Sequence, residues 1–336
     1  MMLPVIFGLS GLELTPDERA LFAARPPAGF ILFKRNTANR AQIKALTDSL
    51  RDLTGRADLP ILIDQEGGRV QRMGPPEWDT FPAWGAFDAL YERAPMTAIE
   101  AARCNAEALG LMLSDVGITV NCLPLLDVRQ PGAHDVIGDR ALGSEPMRVA
   151  ALGRAVIEGL AAGGCVGIIK HMPGHGRAQV DSHQELPVVE ADASELETDL
   201  APFTSLNWAP MAMTAHVVYK AWDTDLCATL SPTIIETIIR QRIGFDGLLM
   251  SDDLDMKALD GAVAERAARS VAAGCDVALN CWGRLDEMEA IADALPPLTP
   301  RARERLDRAM GTVTADPDVR RYRILVAKRD QLLALG

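Results

Sequence analysis

Gly247-Leu248-Leu249-Met250-Ser251-Asp252-Asp253 begins as a continuous apolar run and ends on two adjacent carboxylates. A strand buried on both faces reads this way, because neither face is free to alternate apolar with polar. A helix is legible on each side of it. Ser231-Pro232 opens one that Gly244 stops, and Ala262–Ala273 carries apolar residues at helical spacing. The same unit recurs along the chain, with short buried runs at Val5–Leu9, Phe30–Phe33, Ile61–Ile63, Thr119–Leu126, Val166–Ile169, Met211–Thr214 and Asp276–Asn280. Between them Asn39–Leu53, Ala98–Val116 and Met147–Ala162 have helical periodicity, and Thr15-Pro16-Asp17-Glu18 forms a capping box. Strand and helix alternating eight times predict a parallel sheet closed as a (β/α)8 barrel of the TIM type. A chain of 336 residues suits one such domain, spanning 1–336. The charged tail from Thr299 to Leu335 is expected to be helical and to lie on the barrel's outside.

Composition narrows the class of function. The formal charge of −12 argues against a nucleic-acid binder, which needs a basic face. Cys104, Cys122, Cys165, Cys227, Cys275 and Cys281 show no metal-binding spacing, and several sit in apolar runs, as buried thiols in a reducing compartment do. The apolar N-terminus lacks the basic start of a signal peptide, and no stretch is long enough to cross a membrane. A cytoplasmic monomer without membrane or nucleic-acid partners is expected.

Active sites of such barrels lie at the C-terminal strand ends. Here those ends carry Asp64-Gln65-Glu66, Asp127-Val128-Arg129 with Gly138-Asp139-Arg140 beyond it, Lys170-His171, His216, and Ser251-Asp252-Asp253. One such end can be a helix cap, whereas five on one rim point to chemistry. A carboxylate on a rigid strand end suits attack on an anomeric carbon, with a second group to protonate the departing oxygen. The residues alone leave Asp252 and Asp253 as alternatives, whose side chains fall on opposite faces if strand geometry persists. In the loop after the fifth strand, Asp181 and His183 share a face if the segment is extended. A carboxylate on one imidazole nitrogen would make the other a usable acid near neutral pH.

The string Lys170-His-Met-Pro-Gly-His-Gly176, followed by Asp181-Ser-His183, resembles the signature of glycoside hydrolase family 3 β-N-acetylglucosaminidases. Asp64–Arg72, Ile137–Arg140, Met213–His216 and Met250–Met256 resemble further segments of that family in the same order. The resemblance implies a retaining glycosidase, with Asp252 as nucleophile and His183 as acid/base assisted by Asp181. It implies that Asp64, Arg72, Arg140, Lys170 and His171 bind the sugar. The substrate it implies is a terminal β-linked N-acetylglucosamine, on an anhydromuramyl peptide of cell-wall recycling, with no metal or organic cofactor. Met172 stands where the family usually has Phe, and Asp255 where Ser or Asn is common. The adjacent Asp252-Asp253 pair also fits a substrate-assisted mechanism. A histidine acid/base is compatible with phosphorolysis, and a catalytically silent sugar binder on the same barrel is a further alternative. A zinc site at His171, His175, His183 and His216 lacks the paired-histidine spacing of hydrolytic zinc barrels.

Overall fold

The computed structural model describes residues 1–182, 184–313 and 316–335. All eight runs become strands of one closed, parallel barrel. They are β1 (Leu3–Gly8), β2 (Pro27–Leu32), β3 (Ile61–Ile63), β4 (Val120–Asn121), β5 (Val166–Met172), β6 (Met211–Thr214), β7 (Leu248–Asp253) and β8 (Val277–Asn280). Neighbours in the chain are neighbours in the barrel, and β8 closes on β1 with Ile6 opposite Leu279. Alternate residues split into two buried sets. Ile6, Ile31, Leu62, Val120, Ile168, Met213, Met250 and Leu279 fill the interior. Val5, Phe7, Phe30, Ile61, Ile63, Ile169 and Leu249 face the surrounding helices. Two residues past Leu62, Ile168 and Met250 the inward alternation reaches Asp64, Lys170 and Asp252, so the period that packs the interior also aims the polar groups at its mouth.

The helices start and stop where local chemistry requires. In α1 (Pro16–Ala24), Thr15 and Glu18 cap each other reciprocally. In α2 (Arg40–Thr54), Asn39 accepts from the Gln42 amide, and Gly55 ends the helix in the left-handed region at φ 66°. Then follow α3 (Gly85–Arg93), α4 (Pro95–Ser114), α5 (Pro146–Ala162) and α6 (Glu197–Ser205). The helix opened by Ser231 is wound with π pairing over Ile234–Arg242 before α7 (Val263–Ala273) and α8 (Leu285–Ala294). The tail supplies α9 (Pro300–Met310) and α10 (Tyr322–Leu333). Its placement corrects one expectation. Leu306, Ala309 and Met310 of α9 belong to the interior cluster, so this helix closes the end of the barrel opposite the site, while α10 packs on α4. All six cysteines are buried thiols. Among the described residues, no helix is long and apolar enough to cross a membrane.

Candidate active site

At the C-terminal strand ends the barrel opens into a cavity of about 460 Å³, within the range that small-molecule sites span. Its floor is a chain of alternating charges. Arg72 Nη2 lies 3.1 Å from Asp64 Oδ2, and Lys170 Nζ lies 3.4 Å from Asp64 Oδ1 and 2.8 Å from Glu66 Oε1. Arg140 grips Glu66 with two hydrogen bonds, each 2.8 Å. Burial alone would raise both carboxyl pKa values, but the opposing cations win. Asp64 is lowered by Lys170 and Arg72, and Glu66 is held at about 2 by Lys170 and Arg140. Burial would likewise strip Lys170 of its proton, and Glu66 and Asp64 push its pKa up instead. Three cations against two carboxylates leave the floor ionised and cationic.

His171 stands beside this floor. Asp127, fully buried, accepts from the His171 amide at 3.1 Å and the His175 amide at 2.7 Å, and lies 2.8 Å from His171 Nδ1. That contact assigns the ring proton to Nδ1. Burial works against the Asp127 charge, and His171 more than offsets it, so its pKa sits at about 2. His175 shares Ser182 Oγ at 3.0 Å, and burial together with His171 depresses its pKa to about 4.

The loop after β5 is tied down at its start. Gln130 and His134 donate to the carbonyls of Gly176 and Ala178, Tyr219 Oη donates to the Gly174 carbonyl, and Arg177 pairs with Asp199 at 2.6 Å. Gly176 passes so close to the Val128 carbonyl that no side chain fits there. Further along, the Asp181 carbonyl accepts from the amides of Gln184 and Glu185. Val188–Val189 then pairs with Val218–Tyr219 as a small side sheet.

At the end of β7 three acids lie close together, with Arg284 3.7 Å from Asp255. Asp252 Oδ1 accepts from the Asp253 amide at 2.8 Å. Asp253 is pushed up to about 7 by burial and then by Asp255 and Asp252. Asp255 rises to about 6 through burial and Glu287. Asp252 and Asp253 both line the cavity, contrary to the opposite faces that strand alternation predicts. The pairing of β7 with β8 shifts register between Val277 and Leu279, next to this pair, and Asp253 Oδ1 accepts from the Asp255 amide at 3.1 Å.

Of the residues singled out from the sequence, Asp64, Arg72, Arg140, Lys170, His171 and Asp252 all line this one cavity. Asp181 sits partly buried on the loop outside its wall, whereas the next residue, Ser182, is in it. His183 lies outside the described residues. The sequence reading gave no role to Glu66 and Asp127, which hold the floor and His171. For Asp127 a signal was available, since it is a carboxylate between Leu126 and Val128 in an apolar stretch and so needs a partner when buried, whereas Glu66 lies in a polar stretch that carries no such signal. It also gave no role to the rim aromatics Phe33 and Trp282.

Comparison with known proteins follows the same line. Residues 10–315 match the glycosyl hydrolase family 3 N terminal domain. The chain is 36% identical over 320 residues to a beta-hexosaminidase of Bordetella avium, covering 94% of this chain and 90% of the relative. It is 38% identical over 312 residues to a beta-hexosaminidase of Aromatoleum aromaticum, covering 90% and 86%. The structure is similar to that of NagZ from Neisseria gonorrhoeae in complex with N-trifluoroacetyl-D-glucosamine. The TM-score is 0.89 at 34% identity, over 99% of this chain and 98% of that one.

Proposed function

This chain belongs to glycosyl hydrolase family 3 and is a glycoside hydrolase of the β-N-acetylhexosaminidase type, and we propose that it releases terminal β-linked N-acetylglucosamine with retained configuration. Its source is a muropeptide carrying N-acetylglucosamine on anhydro-N-acetylmuramic acid, met in the cytoplasm during cell-wall recycling. The observation that carries the reading is the convergence of Asp64, Arg72, Arg140, Lys170, His171 and Asp252 on one cavity. A relative that binds an N-acylglucosamine in a matching fold supports the same sugar class.

In this reading the cationic floor orients the sugar. Arg72 and Lys170 donate to its hydroxyl oxygens, Asp64 accepts from a hydroxyl, and His171, held by Asp127, offers Nε2 as a further acceptor. Arg140 acts through Glu66, which fixes the ammonium of Lys170. Asp252 attacks the anomeric carbon as His183 delivers a proton to the leaving oxygen, giving a glycosyl-aspartate. His183, assisted by Asp181, then takes a proton from water, whose oxygen displaces Asp252 and restores the starting configuration. Because a histidine replaces the second carboxylate, the acid/base pair is set by the loop after β5 rather than by a carboxylate separation.

The test is nitrophenol release from p-nitrophenyl β-N-acetylglucosaminide in phosphate-free buffer. Native protein should turn the substrate over, and Asp252→Asn should lose about a thousandfold or more in kcat. Absence of release by folded native protein would overturn the hydrolase, and release only on addition of phosphate would make it a phosphorylase.

A further inference from the structure

One large aromatic at the cavity mouth has no part in that mechanism. Trp282 follows β8 and lines the cavity, yet it is 53% exposed. A single exposed apolar side chain needs no explanation in itself. Trp208 is such a case, equally exposed at 48% but located ahead of β6, at the opposite end of the barrel. What separates Trp282 is how firmly it is presented. Arg35 donates to the carbonyls of Leu9 and Cys281, pinning the backbone just before the indole. Gly283 follows at φ 67°, packed against the Leu9 backbone where no side chain fits. The Arg284 guanidinium lies 5.2 Å from the indole ring centroid and is itself held by Glu287. One side of the ring is thus buttressed by a fixed cation. An exposed indole held on both sides by backbone constraints is preorganised for a partner.

Its height along the barrel says which part of a substrate that partner is. Leu279 of β8 is level with Asp253 of β7, so Trp282, three residues on, is up to about 10 Å nearer the mouth than the carboxylates. The terminal sugar, if the reading above is right, occupies the charged floor below, and the leaving group must point outward. We propose that Trp282 is the platform of a leaving-group subsite, taking the apolar face of a second pyranose ring linked to the terminal sugar. The inference rests on the glycosidase reading and adds a determinant of which glycosides are turned over well.

The test compares two substrates that share the terminal sugar. In N,N′-diacetylchitobiose the leaving group is a pyranose, and in methyl β-N-acetylglucosaminide it is a single carbon. Trp282→Ala should lower kcat/KM for the disaccharide about tenfold more than for the methyl glycoside, mainly through KM. Trp282→Phe should recover most of that ratio, and Trp208→Ala should leave it unchanged. A second arm uses calorimetry in the Asp252→Asn background. Adding Trp282→Ala should weaken binding of the disaccharide far more than binding of N-acetylglucosamine. Equal losses on both substrates, or an unchanged ratio, would overturn the platform. If native protein hydrolyses neither glycoside while the binding difference persists, the glycosidase reading falls and the platform stands.

Discussion

Two neighbourhoods of the same rim hold carboxylates in opposite ways. On the β3–β5 side Glu66 lies between Lys170 and Arg140, and Asp127 accepts hydrogen bonds from His171 and the His175 amide; these partners outweigh burial, so both acids sit near pKa 2. On the β7 side burial acts first on Asp253, and the charges of Asp255 and Asp252 add to it, so its pKa climbs to about 7. Burial is common to both, and charge order decides the outcome. A site that must hold a sugar firmly and also manage protons benefits from that separation. The paired side supplies fixed ionised contacts, and the acidic side keeps a proton near neutrality beside the proposed nucleophile.

The largest expected effect comes from breaking the paired side. Lys170→Met leaves Glu66 and Asp64 buried with fewer partners, and should cost about 3–5 kcal/mol in urea unfolding at pH 7. A cost below about 1 kcal/mol would mean that Arg72 and Arg140 carry the floor without it. Next comes the pH dependence that sets the two sides against each other. Asp253 binds its proton more tightly folded than unfolded, so its contribution is complete below about pH 4 and is lost as the pH rises through about 7. Glu66 and Asp127 behave oppositely, contributing above the ordinary carboxylate range and losing that contribution as the pH falls toward 2. Asp253→Asn should therefore remove about 1–3 kcal/mol of the decline in stability between pH 5 and pH 8, leaving the acid limb intact. An unchanged slope on the alkaline side would show that Asp253 titrates normally. The smallest effect is expected for Asp255→Asn, which removes the leading charge acting on Asp253. Carboxyl NMR should show Asp253 titrating at lower pH, with stability altered by under about 1 kcal/mol. Titration at the native position would leave burial and Asp252 as the causes.

Legibility in the sequence follows the range of the interactions involved. Every barrel strand could be read, because each is a continuous buried run such as Leu248–Met250, and the helix starts at Thr15 and Asn39 are announced by their own side chains. Asp64, Lys170 and Asp252 could be placed because strand alternation carries Leu62 to Asp64, Ile168 to Lys170 and Met250 to Asp252, whereas Arg72, Arg140 and His171 were legible as sugar-binding positions only through the family resemblance. The pairings could not be read. Glu66 meets Arg140 across 74 residues and Asp127 meets His171 across 44, contacts that exist only once the barrel closes. That Asp253 lines the cavity alongside Asp252 was likewise not announced by any local pattern. Within the helical tail, the placement of α9 was illegible for a related reason, while α10 packs on α4 as a surface helix would. The amphipathic pattern of α9 calls for an apolar partner without saying whether that partner is the outer helices or the open end of the barrel.

The most direct test of Asp252 as the attacking group is to incubate native protein with an activated fluoro analogue of N-acetylglucosamine, then map the labelled peptide by mass spectrometry. A single glycosyl adduct on Asp252, absent from Asp252→Asn, is the expected result. An adduct on Asp253 would move the nucleophile to its neighbour. No adduct, together with strong inhibition by a thiazoline analogue, would contradict covalent catalysis by the protein and assign the attack to the sugar's own acetamido group.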